Sequence, residues 1–305
     1  MRIKDIIQGE GRSLSFEFFP PKTEEAEGRL FGTIKKLEIF KPSFVSVTYG
    51  AGGGTRETTR RVAERIIRET SLTPMPHLTC INQSESELRG ILRGYKELGI
   101  ENILALRGDL SKGEKIADLA ARKGLGYGRD LVQLAASFAA FSIGVAVYPE
   151  GHCKSLNLEM DMLYTKEKIE AGADFAITQM FFDNRFFYDF MERAERVGIR
   201  VPIIAGIMPV TDIEKIKQFA GICGATLPAV LVRRVENEVS PQEVERIGIE
   251  FTTKQIDDLL QNGVRLFHFY TLNHAEAVTK VLLALSLDRL LGKRVERAIE
   301  IGTRG

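Results

Sequence analysis

A glutamate stands between two phenylalanines near the start of the chain, within LSFEFFP at 14–20. A carboxyl group buried among aromatic side chains must either pair with a cation or take up a proton, because burial disfavours its charged form. Glu17 is therefore either a structural carboxylate paired with an arginine, or a general acid whose pKa burial has raised toward neutrality. The apolar neighbours Phe16 and Phe18 favour the general acid, so proton transfer to a substrate is the chemistry that we expect.

Polar residues also end most of the other short apolar segments of the sequence. They are Thr48, His77, Arg107, Asp109, Tyr148, His152, Gln179 and Tyr270. Taken singly, each has an ordinary structural explanation: His77 is typical of a hydrogen-bonded core histidine, and His152 of a surface loop. The glycines of GAGGGT at 50–55 either permit a tight turn or let backbone N–H groups approach an anion or a ring. Whether these residues act together depends on the fold.

Eight β-branched or aromatic segments recur along the chain, and each is followed by a longer segment with apolar residues at helical spacing. The predicted strands cover 14–20, 44–50, 75–80, 102–109, 143–150, 175–181, 201–209 and 265–273. The helix before the fourth strand has both ends marked, by a capping box from Ser84 to Glu87 and by Gly99. The helix before the eighth strand begins at Ser240-Pro241, and its pattern allows a break near 251–253.

Strand–helix alternation implies parallel strands joined by right-handed crossovers. Eight such units without a linker rich in Pro, Ser or Gly predict a single (β/α)8 TIM barrel over residues 1–291, followed by a C-terminal tail at 292–305 that is either a solvated end or an assembly contact. An open doubly wound sheet is the structural alternative, although GAGGGT lacks the G-x-G-x-x-G spacing of its dinucleotide-binding version. In a barrel, the polar residues at the carboxyl ends of the strands meet at one face.

The composition excludes several classes of function. Lys and Arg number 42 against 41 Asp and Glu, which gives a formal net charge of +1 and no basic surface for a nucleic acid partner. No apolar run approaches the roughly 20 residues of a membrane-spanning helix, and the polar start MRIKDIIQGEGR is unlike a signal peptide, so we expect a cytoplasmic protein without a membrane partner. Cys80, Cys153 and Cys223 are far apart, which predicts packing residues in a reducing compartment and neither a disulfide nor a metal site.

Several longer strings follow one another over nearly the whole chain. They are SFEFFPPK (15–22), FVSVTYGAGG (44–53), PHLTC (76–80), LRGD (106–109), YPEGH (148–152), AGADFAITQMFFD (171–183), GIMPV (206–210) and HFYTLN (268–273). In this order they resemble the methylenetetrahydrofolate reductases of bacterial type. The resemblance implies a (β/α)8 barrel that carries FAD and reduces 5,10-methylenetetrahydrofolate to 5-methyltetrahydrofolate.

The resemblance also implies roles for individual residues. Glu17 would be the general acid that protonates N10 of the folate, opening its imidazolidine ring to a 5-iminium cation. Asp109 would stay ionised near the flavin and the pterin, where it would stabilise this cation and tune the flavin potential. The positions that match the family around FAD are Thr48, His77, Arg107, Gly108, Asp109, Tyr127, Tyr148, His152, Asp161 and Lys168, with Arg107 and Lys168 as partners of the pyrophosphate. Gln179 would bond the pterin, and Tyr270 and Leu272 would enclose the substrate.

One departure from the family concerns the electron donor. After GIMPV, members that use NADH tend to carry an aromatic residue against the nicotinamide or the folate, whereas this chain reads Thr211, Asp212 and Ile213. Without that aromatic ring, the stacking on the nicotinamide or the folate, worth about 0.5 to 1.5 kcal/mol, is reduced. NADH, NADPH and an iron–sulfur electron-transfer partner subunit are therefore all candidate donors. The clusters would lie in that partner, because this sequence has no cluster-binding cysteine pattern. The resemblance also leaves open whether the chain forms a homo-oligomer.

Two other functions stay open on the residues alone. One is a flavin-free barrel lyase or a pterin-dependent methyltransferase, and the other is a subunit that only binds folate. The lyase would need a Schiff-base lysine, and no lysine lies within the last residues of a predicted strand. The methyltransferase would need a corrinoid partner.

Overall fold

Eight strands form a closed ring. The computed structural model describes residues 1–49, 56–110, 124–238 and 240–285. The strands are β1 (Ser13–Phe18), β2 (Phe44–Val47), β3 (Pro74–Thr79), β4 (Asn102–Leu106), β5 (Ser142–Val147), β6 (Phe175–Thr178), β7 (Ile203–Ile207) and β8 (Leu266–Tyr270). Neighbours are parallel and follow chain order, and β8 returns to pair with β1. The predicted (β/α)8 barrel is confirmed, and the open-sheet alternative is wrong.

Helices connect the strands on the outside of the ring. Those of the described residues are α1 (Ile3–Glu10), α2 (Glu24–Glu38), α3 (Arg56–Glu69), α4 (Glu85–Glu97), α5 (Gly128–Ala136), α6 (Leu158–Glu170), α7 (Asn184–Arg196), α8 (Ile213–Cys223), α9 (Ala229–Glu236), α10 (Pro241–Gln261) and α11 (Ala275–Ala284). α1 lies at the amino ends of the strands, where the backbone N–H of Ile3 donates to Oδ1 of Asn102 at 2.7 Å. Three helices, α8 to α10, separate β7 from β8.

Local sequence signals set the starts of two predicted helices. Ser84 and Glu87 form the capping box of α4, since each side chain accepts from the backbone N–H of the other. Ser240 caps α10, and Pro241 occupies its first turn. The break allowed near 251–253 does not occur, because α10 continues through it with the hydroxyl of Thr252 donating to the carbonyl one turn earlier. A threonine costs a helix too little to end it.

The interior of the barrel has an apolar lower layer and a polar upper layer. The lower layer consists of Ile3, Ile7, Phe44, Met75, Leu104, Phe175, Ile177 and Ile204, so α1 closes the amino end of the ring. The buried polar side chains nearer the carboxyl ends are Ser15, Glu17, Ser46, His77 and His268. The polar layer therefore lies toward the carboxyl ends of the strands and the apolar layer toward their amino ends.

Side-chain alternation on β1 determines which residues reach that polar layer. Leu14, Phe16 and Phe18 belong to the apolar cluster between the strands and the surrounding helices. Ser15 and Glu17 lie between them in sequence and point into the barrel, because successive side chains of a strand face opposite sides.

Candidate active site

The carboxyl group of Glu17 lies between two imidazoles. Its Oε2 is 3.4 Å from Nε2 of His77 and 3.5 Å from Nε2 of His268. All three side chains are buried. They come from β1, β3 and β8, and β1 is hydrogen-bonded to β8 where the ring closes. The fold thus brings residues from both ends of the sequence to one point.

The aromatic setting expected for Glu17 is wrong. Phe16 and Phe18 pack toward the helices, and the surroundings of the carboxyl group come from other strands. His268 carried no prediction from the sequence, although it stands two residues before Tyr270 and so shares its face of β8. The neighbours of a strand residue in sequence face the opposite side of the sheet, so they do not form the environment of its side chain.

Burial and polar contacts act in opposite directions on Glu17. Burial raises the pKa of its carboxyl group, but the hydrogen bond with His268, the imidazole charges and Ser46 lower it more, so the pKa lies below its ordinary value of 4.5. Burial lowers the pKa of His77 to about 4, against the opposing effect of the Glu17 charge. His77 is thus neutral near pH 7, and the hydrogen bond with His268 is the largest of the effects that lower the pKa of Glu17. The net shift is opposite to the one expected from burial alone.

A serine fixes the orientation of His268. Ser15 Oγ donates to the carbonyl of Phe267 at 3.1 Å and lies 2.7 Å from Nδ1 of His268. The 2.7 Å contact holds Nδ1 of His268 against Ser15 Oγ. Nε2 then faces the carboxyl group of Glu17 and, at 3.3 Å, the hydroxyl of Ser46. Oε2 of Glu17 and Nε2 of His268 thus face each other at 3.5 Å in a buried setting.

A cavity of about 470 Å³ opens at the carboxyl ends of β4 and β5. Six of the residues predicted to bind the cofactor line it: Arg107, Tyr127, Tyr148, His152, Asp161 and Lys168. The first residues of α5 and the loop after β5 form much of the remaining wall. The structure thus gathers these six side chains around one space.

Lys168 lies in the wall of this cavity. Its Nζ donates to the carbonyl of Ala146 at 2.6 Å, and burial lowers its pKa to about 8 despite the charge of Asp161. Asp161 is also buried and accepts from the hydroxyl of Ser155 at 2.7 Å. Within the part of the chain that the structure describes, Lys168 has no carboxylate within ion-pair distance. A partly buried ammonium without a carboxylate partner suits an anionic ligand.

Tyr148 and His152 offer neutral hydrogen-bond donors at the same cavity. Their rings meet edge to face with centroids 4.6 Å apart. Nδ1 of His152 accepts from the backbone N–H of Lys154 at 3.0 Å, so the neutral ring carries its proton on Nε2. Burial raises the pKa of Tyr148 and lowers that of His152. Both groups are therefore uncharged near pH 7.

Three further residues predicted at the cofactor lie on neighbouring strand ends, outside the wall of this cavity. Thr48 directly follows β2. Gly108 has φ of +86°, and a Cβ there would lie 3.0 Å from Cβ of Thr79, so conformation and space both favour glycine. Asp109 is exposed, and its Oδ1 lies 3.2 Å from Nζ of Lys154, which lines the cavity. His77, as described above, faces Glu17.

The residues predicted to contact substrate lie after β6 and at the end of β8. Gln179 is half-buried, and its Oε1 accepts from the next backbone N–H at 2.9 Å. The hydroxyl of Tyr270 donates to the carbonyl of Thr178 at 2.7 Å, and its ring stands edge-on to His268 with centroids 5.6 Å apart. Leu272 has φ of +50°, a conformation that is uncommon outside glycine and often found at functional sites. Tyr270 thus borders the Glu17–His268 pair.

The remaining predictions concern two segments of the chain, metal binding, membrane helices and the cysteines. The glycine-rich string at 50–55 and the tail at 292–305 lie outside the described residues. Among the described residues, no group of three or more His, Cys, Asp or Glu side chains could hold a metal ion. No helix in the same ranges is long and apolar enough to cross a membrane. Cys80 is buried as a packing residue would be, but Cys153 is exposed, which contradicts that role.

Comparison with known proteins identifies the family. The family model described as methylenetetrahydrofolate reductase matches residues 2–286. A protein named 5,10-methylenetetrahydrofolate reductase from Escherichia coli (strain K12) is 41% identical over 271 residues, covering 88% of this chain and 89% of its own. A protein of the same name from Pectobacterium carotovorum is 39% identical over 297 residues, covering 97% and 95%.

A solved structure with the same fold is an uncharacterized protein from Clostridium thermocellum, described as binding two copies of 5-methyl-5,6,7,8-tetrahydrofolic acid. Its TM-score is 0.65 at 15% identity, with 93% of this chain and 98% of that chain covered. This likeness shows the fold alone. The family model and the sequence relatives go further, and the chain belongs to the methylenetetrahydrofolate reductase family of oxidoreductases.

Proposed function

We propose that this chain reduces 5,10-methylenetetrahydrofolate to 5-methyltetrahydrofolate at the carboxyl face of its barrel, with FAD as cofactor and Glu17 as general acid. The observation that carries the proposal is the buried Glu17–His268 pair, in which Oε2 and Nε2 face each other toward the carboxyl ends of the strands. The names of the bacterial relatives support the reaction. The folate derivative described for the Clostridium protein agrees with the substrate class.

The cavity beside β4 and β5 has the charges that FAD requires. Arg107 and Lys168 would hold its pyrophosphate, and Lys168 has no carboxylate among the described residues to compete for its ammonium. Tyr148 and His152 would donate hydrogen bonds without adding charge. Tyr127 would flank the cofactor from the start of α5. When bound, FAD supplies the hydride for the folate.

Glu17 would protonate N10 of the folate. A bound pterin excludes water from the carboxyl group, and this favours its uncharged, protonated form. The proton that His268 shares with Glu17 is then available on the carboxylic acid, while Ser15 keeps the imidazole oriented through Nδ1. The low pKa of Glu17 in the present arrangement means that substrate binding must shift the proton toward the acid.

The remaining predicted residues would act on the cation that ring opening creates and on the pterin. Asp109 would place a negative charge near the iminium. Its ion pair with Lys154 is exposed, and such pairs contribute at most about 1 kcal/mol to stability. A bound ligand can therefore replace Lys154 beside Asp109. Gln179 would bond the pterin, while Tyr270 and Leu272 would enclose it.

The segment after β7 bears on the electron donor. Asp212 caps α8, because its Oδ1 accepts from the backbone N–H groups of Glu214 and Lys215, both at 3.1 Å. Ile213 packs against the apolar cluster beneath α8. Neither supplies an aromatic ring, so NADH, NADPH and a reduced iron–sulfur partner subunit are the donors to compare. Stopped-flow reduction of bound FAD by NADH, NADPH and reduced ferredoxin distinguishes them, with and without a candidate partner.

Two measurements test the proposed reaction. The absorbance spectrum of the purified protein should show flavin bands, and a colourless protein that does not take up added FAD would overturn the assignment. Glu17→Gln should keep FAD bound and reducible while folate reduction falls by a factor on the order of 10² or more. Glu27→Gln is the matched control, since Glu27 is a buried carboxylate paired with Arg61 and Arg65 on the outside of the barrel. Near-normal turnover of Glu17→Gln would remove Glu17 from the role of acid.

A further inference from the structure

Two cysteines lie near each other where the loop after β5 meets the end of α8. Cys153 is exposed, within a turn closed by the backbone N–H of Ser155 donating to the carbonyl of His152 at 2.8 Å. Cys223 is the last residue of α8 and is partly buried. A Cβ placed on Gly224, the next residue, would lie 3.8 Å from Cβ of Cys153. Cβ of Cys153 thus lies close to Gly224, one residue from Cys223.

A second contact holds the same two segments together. Both carboxylate oxygens of Glu150, just after β5, lie 3.0 Å from the backbone N–H of Thr226. Burial raises the pKa of the Cys223 thiol, and a charge on Cys153 raises it further. The loop carrying Cys153 and the end of α8 are therefore neighbours at two independent points.

Cys80 is more deeply buried than either of these two cysteines. It is fully buried, its Sγ donates to the carbonyl of Arg107 at 3.5 Å, and burial raises its pKa to about 12. A thiol in that setting neither reaches an oxidant nor forms the thiolate that reacts with one. Cys80 therefore serves as an internal control.

We propose that Cys153 and Cys223 form a reversible disulfide that fastens the loop after β5 to the end of α8. The oxidant is a low-molecular-weight disulfide. The thiolate of exposed Cys153 attacks one sulfur of that disulfide, which forms a mixed disulfide on Cys153 and releases one small thiol. Cys223 then loses its proton and attacks Sγ of Cys153, which releases the second small thiol. The two cysteines together lose two electrons and two protons, and the small disulfide gains them.

The bridge would act on the cavity that we assign to FAD, so this consequence rests on the proposed function. The loop that it fastens carries His152 and Lys154, which line the cavity, and follows Tyr148. Fixing Cys153 to α8 restricts the opening of this wall. FAD should therefore leave the oxidised protein several-fold more slowly than the reduced protein.

The pairing is tested by incubating the purified holoprotein with oxidised glutathione, blocking free thiols with N-ethylmaleimide and mapping peptides by mass spectrometry. The expected product is one cross-linked peptide containing Cys153 and Cys223, which dithiothreitol removes. Cys80→Ser should give the same product, whereas Cys153→Ser and Cys223→Ser should not. Glutathione adducts on Cys153 with Cys223 still blocked by N-ethylmaleimide would overturn the pairing.

The effect on the cavity is tested by following flavin fluorescence after dilution of oxidised and reduced protein. Slower release from the oxidised wild type, with no such difference in Cys223→Ser, supports the fastening of the loop. Equal rates from oxidised and reduced wild type would overturn it. A protein that binds no FAD would refute the proposed function, while the peptide map would still decide whether the disulfide forms.

Discussion

The pH dependence of FAD binding provides a direct test of the role assigned to Lys168. Burial lowers the pKa of this lysine to about 8, so its positive charge is present at pH 7 and largely lost at pH 9. If the pyrophosphate binds only the charged form, the apparent Kd is multiplied by one plus the ratio of neutral to charged lysine. That factor is about 1.1 at pH 7 and about 11 at pH 9. FAD should therefore bind about tenfold more weakly at pH 9 than at pH 7.

Quenching of flavin fluorescence, titrated at pH 7, 8 and 9 and at constant ionic strength, measures this change. Lys168→Arg keeps its charge throughout and should show no such dependence, whereas Lys168→Met should bind weakly at every pH. Tyr148 and His152 face the same cavity, but their pKa values are shifted up and down respectively, so neither changes charge in this range. A flat wild-type profile, or an equal slope in Lys168→Met, would refute the reasoning.

Three other substitutions test separate parts of the structure. Asp109→Asn should raise the flavin midpoint potential, because a nearby negative charge disfavours the anionic reduced form; an unchanged midpoint in a redox titration would place Asp109 away from the ring. His268→Gln should lower the rate of folate reduction by about tenfold or more, while the rate of flavin reduction by the donor, measured by rapid mixing, should not change. Equal losses in both half-reactions would contradict the idea that His268 acts only through Glu17. Gly248→Ala should lower Tm, because its Cβ would lie 1.8 Å from the carbonyl oxygen of Val210 and overpacking costs about 1 to 3 kcal/mol. Gly90→Ala, also in a helix but with open space around its Cβ position, should have an unchanged or higher Tm.

The order of strands and helices was predictable because each depends on a local pattern. Continuous apolar segments marked the strands, and the Ser84–Glu87 box and Ser240-Pro241 marked helix starts that the structure confirms. Convergence of polar residues followed from the fold, since parallel strands end at the same face. Six of the residues expected at the cofactor do line one cavity.

The environment of Glu17 was not predictable from its neighbours in sequence. Phe16 and Phe18 lie on the other side of β1, so their apolar character does not reach the carboxyl group. Its true partners, His77 and His268, are set by the register across the ring, and that information is distributed over the whole chain. The exposure of Cys153 was missed for the same reason, because it depends on how the loop after β5 packs against α8.

Closure of the ring has a consequence for the synthesis of the protein. In the register of β1 with β8, Ser15 lies opposite His268 and Glu17 lies opposite Tyr270. The first strand to leave the ribosome therefore acquires its imidazole partner only after the last strand has been made, and pairings this distant in sequence form slowly. The acid catalysis that we propose for Glu17 would thus be withheld from every incomplete chain, and enzymatic turnover would report that the whole topology has been assembled.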